Sequence, residues 1–71
     1  MSSDFYKKLG RKIFLMRKAE KLSREKFSEI IGINGYYLGE IERGEKHASL
    51  DVLFKFAKHF NLKIHELIKI E

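Results

Sequence analysis

The stretch from Ser23 to Gly44, SREKFSEIIGINGYYLGEIERG, contains the strongest structural signal in the chain. Apolar residues at helical spacing lie on both sides of Ile31-Gly32-Ile33-Asn34, which predicts two short helices joined by a tight turn. Gly32 occupies the point where a sharp turn between helices needs a residue that is free to adopt positive φ. Such a unit presents its second helix outward, at a size that fits the major groove of DNA. The stretch therefore predicts a DNA-binding helix pair over residues 24–43.

Three further segments have apolar residues at helical spacing, namely residues 4–20, 50–60 and 64–70. The predicted buried stripes are Phe5, Leu9, Ile13 and Met16 in the first segment and Leu50, Leu53, Phe56, Ala57 and Phe60 in the second. The N-caps of the last three long helices are predicted to be Ser23, Asn34 and Ser49. With helices over 24–31 and 35–43, the sequence predicts a single compact all-α domain of five helices spanning residues 1–71.

Length and composition restrict the class of protein. The chain has 71 residues, no cysteine and no proline, so its stability must come from a small apolar core, with a partner subunit as a further source. No apolar run approaches the roughly 18 residues that a membrane-spanning helix needs. The N-terminal residues are not followed by the unbroken apolar segment of a signal peptide. We therefore expect a cytoplasmic protein.

The positive charge is concentrated in the N-terminal part of the chain. The formal net charge is +5, and residues 1–26 carry nine Lys or Arg against three acidic residues. The remaining residues carry six basic and seven acidic side chains. A basic end of this kind favours a polyanionic partner, although a solvated helix face has the same composition.

The sequence between Leu9 and Leu67 resembles the Cro/phage-repressor helix-turn-helix family. The matching motifs are Leu9-Gly10-x-x-Ile13-x-x-Met16-Arg17, Leu22-Ser23, Ile31-Gly32-Ile33, Tyr37-Leu38-x-x-Ile41-Glu42-Arg43-Gly44, Ser49-Leu50-x-x-Leu53-x-x-Phe56-Ala57 and Ile64-x-Glu66-Leu67. The resemblance implies a lambda-repressor-like fold and binding to duplex DNA. Within the family, Tyr37 to Gly44 look most like the small controller proteins of restriction–modification systems, which are single-domain homodimers.

The chain departs from the family pattern at four positions. Arg24 replaces the glutamine that usually follows the capping serine, and Ser28 replaces an alanine. Gly35 stands where an arginine or glutamine often reads a base, and Ala48 replaces a common proline. Arg24 retains a role in reaching a phosphate, whereas Gly35 means that the family's target site does not carry over.

The expected DNA contacts fall into two groups. If Leu38 and Ile41 face the core, the outward side of the third helix carries four candidate side chains: Asn34, Tyr36, Tyr37 and Glu40. Side chains of these types pair with base edges, but Asn34 also suits an N-cap and Tyr37 also suits packing against the second helix. Gly35 is expected to let the backbone approach the DNA closely without reading a base. The candidates for phosphate contact are Arg24, Arg43, Lys46 and His47, with a merely soluble loop as the alternative for the last three.

Two further sets of residues have structural rather than DNA-binding roles. The family resemblance implies an internal salt bridge between Arg17 and Glu42. Four apolar residues, which a chain this small is not expected to hide, are candidates for a dimer interface: Val52, Phe54, Ile68 and Ile70.

The sequence argues against enzymatic and cofactor chemistry. Its three histidines have no metal-ligand spacing, and it shows no catalytic triad, nucleotide-binding loop or paired-carboxylate site. We therefore expect no cofactor, no metal and no small-molecule effector.

The leading interpretation is a homodimeric transcription regulator that binds a pseudo-palindromic operator. An antitoxin-type or scaffold protein that mainly binds another protein is the alternative. A basic first helix lying on a membrane is a third reading, but its apolar stripe is needed for the core.

Overall fold

The computed structural model describes residues 2–70, which form five helices in the order that the sequence predicts. These are α1 (Ser2–Ala19), α2 (Arg24–Ile31), α3 (Gly35–Glu42), α4 (Leu50–Phe60) and α5 (Ile64–Leu67). No strand occurs within residues 2–70. The all-α, five-helix architecture is therefore confirmed, while the two terminal residues of the predicted 1–71 domain lie outside the described part.

The starts of α2, α3 and α4 are fixed by the predicted capping side chains. Ser23, Asn34 and Ser49 each accept a hydrogen bond from a backbone N–H two or three residues later, at 2.7 to 3.2 Å. Each cap satisfies a donor that the first helical turn leaves unpaired and stabilises its helix by about 1 kcal/mol. The local sequence therefore determines where both helices of the DNA-binding pair begin.

One apolar core joins the helices. α3 packs against α1 and α2, while α4 packs against α2 and α5. The core residues are Leu9, Ile13, Phe27, Ile31, Leu38, Ile41, Val52, Phe56, Ala57 and Leu67. At its centre the rings of Phe27 and Phe56 stack with their centroids 5.8 Å apart. The inward faces of α2 and α3 are thus held by packing, which fixes their outward faces as well.

The buried stripe of α4 differs from the predicted one at its N-terminal end. Leu50 is 63% exposed, whereas Val52 is only 8% exposed and belongs to the core. The buried face of α4 is centred near Phe56, and Val52 precedes Phe56 by one helical turn, so Val52 falls on that face. Leu50 lies at the edge of the face instead. The expectation that a single chain leaves Val52 exposed is therefore wrong.

The C-terminal helix is shorter than predicted, ending at Leu67 rather than at residue 70. Lys12 of α1 donates to the backbone carbonyls of Glu66 and Lys69, at 2.6 and 3.1 Å. These carbonyls lie at the end of α5, where a helix has no internal partners for them. The segment beyond α5 folds back toward α1, and Ile70 packs half-buried against the core.

Gly10 allows α1 and α3 to approach each other closely. A Cβ atom at Gly10 would overlap the backbone carbonyl oxygens of Ile41 and Glu42. At the loop that follows α3, Gly44 has a φ of +76° and lies against the backbone of Lys7. Contacts of backbone against backbone at both points place the end of α3 firmly on α1.

Candidate nucleic-acid interface

The turn between α2 and α3 has the geometry that the sequence predicts. Gly32 has φ of 86° and ψ of 36°, in the left-handed region that favours glycine. The backbone N–H groups of Gly32 and Ile33 both donate to the carbonyl of Ser28, at 2.8 and 3.0 Å. These bonds close the end of α2 and direct the chain into α3. The turn therefore sets the angle at which α3 leaves α2.

The outward face of α3 carries Tyr36 and Glu40. Leu38 and Ile41 are buried, Tyr36 is 82% exposed, and Glu40 is partly exposed. Tyr36 and Glu40 are four residues apart and so lie on one face of the helix, one turn from each other. This face presents an aromatic ring and a carboxylate, which suit contact with a thymine methyl and with a cytosine amino group.

Asn34 and Tyr37 are both engaged within the protein. The Asn34 Oδ1 atom accepts from the N–H groups of Tyr36 and Tyr37, at 2.7 and 3.3 Å. Bidentate pairing with adenine needs the amide oxygen as well as the amide nitrogen, so the cap leaves Asn34 only its N–H donors. The Tyr37 hydroxyl donates to the His47 carbonyl at 3.4 Å and accepts from the Ser49 N–H at 3.3 Å.

Tyr37 is therefore turned away from the predicted outward position. It precedes Ile41 by one turn and so lies at the edge of the buried face, where its ring packs against the core. Its hydroxyl links α3 to the residues that precede α4. In this position Tyr37 stabilises the loop after α3 through hydrogen bonds to its backbone, and it does not lie on the outward face of α3.

Arg24 lies exposed at the N-terminus of α2 and lines two adjacent clefts. One cleft separates it from Asn34, Gly35 and Tyr36 at the start of α3. The other has a volume of about 520 Å³ and lies between α1 and α3. Arg24 thus lies beside the outward face of α3. It is also at the N-terminus of α2, where the free backbone N–H groups favour an anion.

Arg43 forms an exposed ion pair with Glu45. Its Nε and Nη2 atoms donate to the two carboxylate oxygens at 2.9 and 3.1 Å, and both side chains are about half exposed. The hydrogen bond to Glu45 raises the pKa of Arg43, and the same bond lowers the pKa of the Glu45 carboxyl. In this arrangement two of the three guanidinium nitrogens of Arg43 are bound to Glu45.

Lys46 and His47 are exposed in the loop that follows Arg43. The His47 ring stacks on Tyr6 of α1, with centroids 3.7 Å apart and an angle of 13° between the planes. This stacking places His47 beside the N-terminal half of α1, which carries Lys7 and Lys8.

Of the six exposed large apolar side chains that the structure describes, three lie on α4 or just beyond α5. Phe54 is 52% exposed and Ile68 is 36% exposed, whereas Ile70 is half-buried and Val52 is buried. Leu50, one turn before Phe54, is also exposed, although the sequence predicts it in the buried stripe of α4. Phe54, Leu50 and Ile68 are thus the side chains available to a second subunit in this region.

Three residues that line the cleft between α1 and α3 were not among the site residues predicted from the sequence. Arg11 and Lys18 of α1 form its far wall, and Gly39 of α3 forms part of its floor. A glycine inside a helix costs about 1 kcal/mol relative to alanine, which is a sequence signal that something packs closely against it. The positions of Arg11 and Lys18 depend on how α1 crosses α3, and helical periodicity alone does not reveal that.

Comparison with known proteins identifies the family. A family model described as helix-turn-helix matches residues 13–67, which is most of the chain. The chain belongs to this family of DNA-binding transcription regulators, and the predicted family is confirmed. Within residues 2–70, no helix has both the length and the apolar composition that crossing a membrane requires.

Individual relatives include controller proteins. The chain is 31% identical over 65 residues to the control protein C.SmaI of Serratia marcescens, covering 92% of this chain and 77% of that protein. It is 36% identical over 58 residues to YazB of Bacillus subtilis (strain 168), an uncharacterized HTH-type transcriptional regulator, covering 82% of this chain and 84% of the relative. A similar solved structure is that of the restriction–modification controller protein C.AhdI from Aeromonas hydrophila. It has a TM-score of 0.79 and 31% identity, over 90% of this chain and 96% of that one.

Proposed function

We propose that the protein is a cytoplasmic, homodimeric transcription regulator that binds a pseudo-palindromic operator in duplex DNA. The observation that carries this proposal is the surface built around α3. Tyr36 and Glu40 face outward on a helix whose opposite side is buried, and Arg24 stands beside the first turn of that helix. A protruding helix flanked by cations is suited to enter the major groove while the cations hold the backbone.

The two groups of side chains have different tasks in this proposal. Arg24, Arg43, Lys46 and His47 contact phosphates, which sets the orientation of the protein without selecting a sequence. Tyr36 and Glu40 contact base edges and select the sequence. Gly35 brings the backbone of α3 close to the DNA. Occupancy of the operator then regulates transcription, either by blocking polymerase or by recruiting it from an upstream site.

The proposed homodimer is supported by the exposed apolar residues and by the resemblance to controller proteins. Phe54 and Ile68 are large apolar side chains that remain accessible in the single chain. Their burial in a second subunit would remove apolar surface from water, which is the usual driving force for association. A twofold axis would also place two copies of α3 on the same side of the DNA.

In-vitro selection of bound duplexes from a random library tests the proposal directly. We expect an enriched inverted repeat whose half-sites are centred about 34–36 Å apart, or a multiple of that distance, as for other dimers of this type. Selection that enriches no motif would contradict sequence-specific binding. A single, unrepeated motif would contradict the dimeric arrangement while leaving DNA recognition in place.

A second candidate function is an antitoxin-type or scaffold protein whose main ligand is another protein. Leu50 and Phe54 favour it, because they are exposed one turn apart and form an apolar strip along α4. If this strip remains accessible in the DNA-bound dimer, a partner protein has a place to bind. Hydrogen exchange of α4 in the protein–DNA complex distinguishes the two cases, since burial in a dimer protects the helix and continued exposure leaves its first turn unprotected.

A further inference from the structure

Gly39 lies in the middle of α3, and two arginine side chains occupy the space where its side chain would be. A Cβ atom added at Gly39 would lie 3.0 Å from Nη1 of Arg24 and 3.1 Å from Nη1 of Arg43. These contacts are closer than ordinary van der Waals distances, so a methyl group would shift both guanidinium groups by a few tenths of an ångström, and a larger side chain would have to displace them further. The absence of a side chain at Gly39 therefore leaves the space in which both guanidinium groups lie against α3.

Arg24 begins α2 and Arg43 follows α3, and their guanidinium groups both lie beside Gly39. Because both Nη1 atoms lie within about 3.1 Å of the same position, they are separated by no more than about twice that distance. Nε and Nη2 of Arg43 are bound to Glu45, which leaves Nη1 to face the cleft. Arg24 makes no hydrogen bond or ion pair with another side chain in the described part of the chain. Like charges brought this close are stabilised by an anion between or above them.

The surrounding cleft has the charge of an anion site. Its opposite wall carries Arg11 and Lys18 of α1. Of the residues that line it, only Glu42 is acidic, and both of its carboxylate oxygens are bound by Arg17. Guanidinium groups match the oxygens of phosphate well, since each presents several N–H donors in a fixed plane.

We propose that Gly39 is a positioning residue for DNA binding, and that it seats Arg24 and Arg43 so that together they bind one backbone phosphate. This inference rests on the proposed function, because it assumes that duplex DNA is the ligand. Arg24 also lines the neighbouring cleft with Asn34 and Tyr36, so the phosphate site adjoins the first turn of α3. A phosphate fixed at this point sets how far α3 enters the groove.

The test is a graded series at position 39, Gly39→Ala followed by Gly39→Leu, measured by fluorescence anisotropy on the duplex obtained by selection. Alanine and leucine are both better helix formers than glycine, so the melting temperature should not fall for lack of helix propensity. Alanine should weaken DNA binding slightly, and leucine by about tenfold or more, the factor for losing one charge-assisted hydrogen bond. The log–log salt slope should decrease in magnitude by about 0.9 for each protomer that loses a phosphate contact.

Two controls separate positioning from other effects. Gly35→Ala alters the same helix, but its Cβ would meet only the Ser28 hydroxyl, at an ordinary 3.6 Å. This control is measured by thermal denaturation only, because Gly35 itself lies where α3 approaches the DNA, and it reports the stability change of a glycine replacement without arginine displacement. The second control introduces Gly39→Leu into a variant that carries both Arg24→Ala and Arg43→Ala. If leucine acts by displacing the arginines, it should cause no further loss of affinity in that background.

The outcomes are distinguishable. If the wild-type protein binds DNA and the Gly39 variants keep its affinity and salt slope, the positioning role is wrong and the proposed function stands. A further loss in the arginine-free background would likewise overturn it, because leucine would then be obstructing the DNA directly. Should Gly39→Leu fail to fold, Gly39→Ala and the two single arginine variants supply the same cycle. A wild-type protein that binds no duplex would overturn the proposed function and this inference with it.

Discussion

Glu42, at the end of α3, accepts two hydrogen bonds from the guanidinium of Arg17 on α1, at 2.7 and 3.0 Å. Each of the two side chains is only 7% exposed. Arg17 also donates to the carbonyl of Leu22 at 2.8 Å, and the Phe14 ring lies 5.3 Å from its guanidinium carbon. The buried guanidinium of Arg17 thus links α1, the segment before α2 and the last residue of α3.

We therefore predict that Glu42→Ala strongly destabilises the fold, because it leaves the Arg17 charge buried without a partner. Breaking one side of a buried pair costs about 3–5 kcal/mol, which is comparable to the whole stability of many small domains. Chemical denaturation measures the change. Glu45→Ala is the matched control, since it removes an exposed ion pair near the same helix end and should change stability little. A normal melting temperature for Glu42→Ala combined with lost DNA binding would show that Glu42 acts as a surface contact.

The sequence predicts those features of the structure that depend on residues close together in the chain, and it does not predict those that depend on how distant helices pack. The starts of α2, α3 and α4 were predictable, because Ser23, Asn34 and Ser49 act on N–H groups only two or three residues away. The rotation of α4 was not, because burying Val52 instead of Leu50 depends on where the other helices lie. The same applies to the site. Periodicity predicts Tyr36 and Glu40 as outward residues, but no local pattern reveals that Arg24 and Arg43 meet over Gly39.

We predict that the protein is a dimer whose association depends on Phe54 and Ile68. Replacing either residue with glutamate places a charge on an apolar surface, which opposes its burial in a second subunit. Sedimentation equilibrium in the micromolar range should show a dimer for the wild type and a monomer for each variant, with unchanged helical content. Leu15→Glu is the control, because Leu15 is also half-exposed but lies on α1. A wild type that stays monomeric with and without DNA would contradict the prediction.

Lys21 offers a test of backbone strain that is independent of DNA. It follows α1 with a φ of 59°, a left-handed conformation that costs residues other than glycine about 1 kcal/mol. We predict that Lys21→Gly raises the free energy of unfolding by about 0.5–1 kcal/mol, or a few degrees in melting temperature. Asn61→Gly should give a smaller gain, since asparagine tolerates this conformation at its φ of 57°. Lys21→Ala should give none. Equal stability of Lys21→Gly and Lys21→Ala would show that the left-handed backbone costs nothing here.

DNA affinity should decrease steeply with salt. Each phosphate that the protein neutralises contributes about −0.9 to the slope of log K against log salt concentration. Arg24→Ala should reduce the magnitude of this slope and weaken binding to selected and random duplexes by similar factors, because a phosphate contact carries no sequence information. Binding measured on both duplexes over a salt series tests this. A slope near zero for the wild type would mean that the basic residues serve a different partner, and a loss confined to the selected duplex would make Arg24 a base-reading residue.

Sequence preference should depend on Tyr36 and Glu40. Glu40 is a carboxylate facing a polyanion, so it repels DNA unless it accepts a hydrogen bond from a cytosine amino group or holds an arginine in place. Glu40→Ala should therefore change the preferred base at one symmetric pair of positions and slightly raise affinity for random duplexes. Tyr36→Ala should relax the preference at the position that its ring contacts. A wrong base at such a position typically costs about 1–3 kcal/mol, which is large enough to alter a selected motif. Repeating the duplex selection with each variant is the measurement. If both variants select the wild-type motif, specificity lies with Asn34 or with the shape of the DNA.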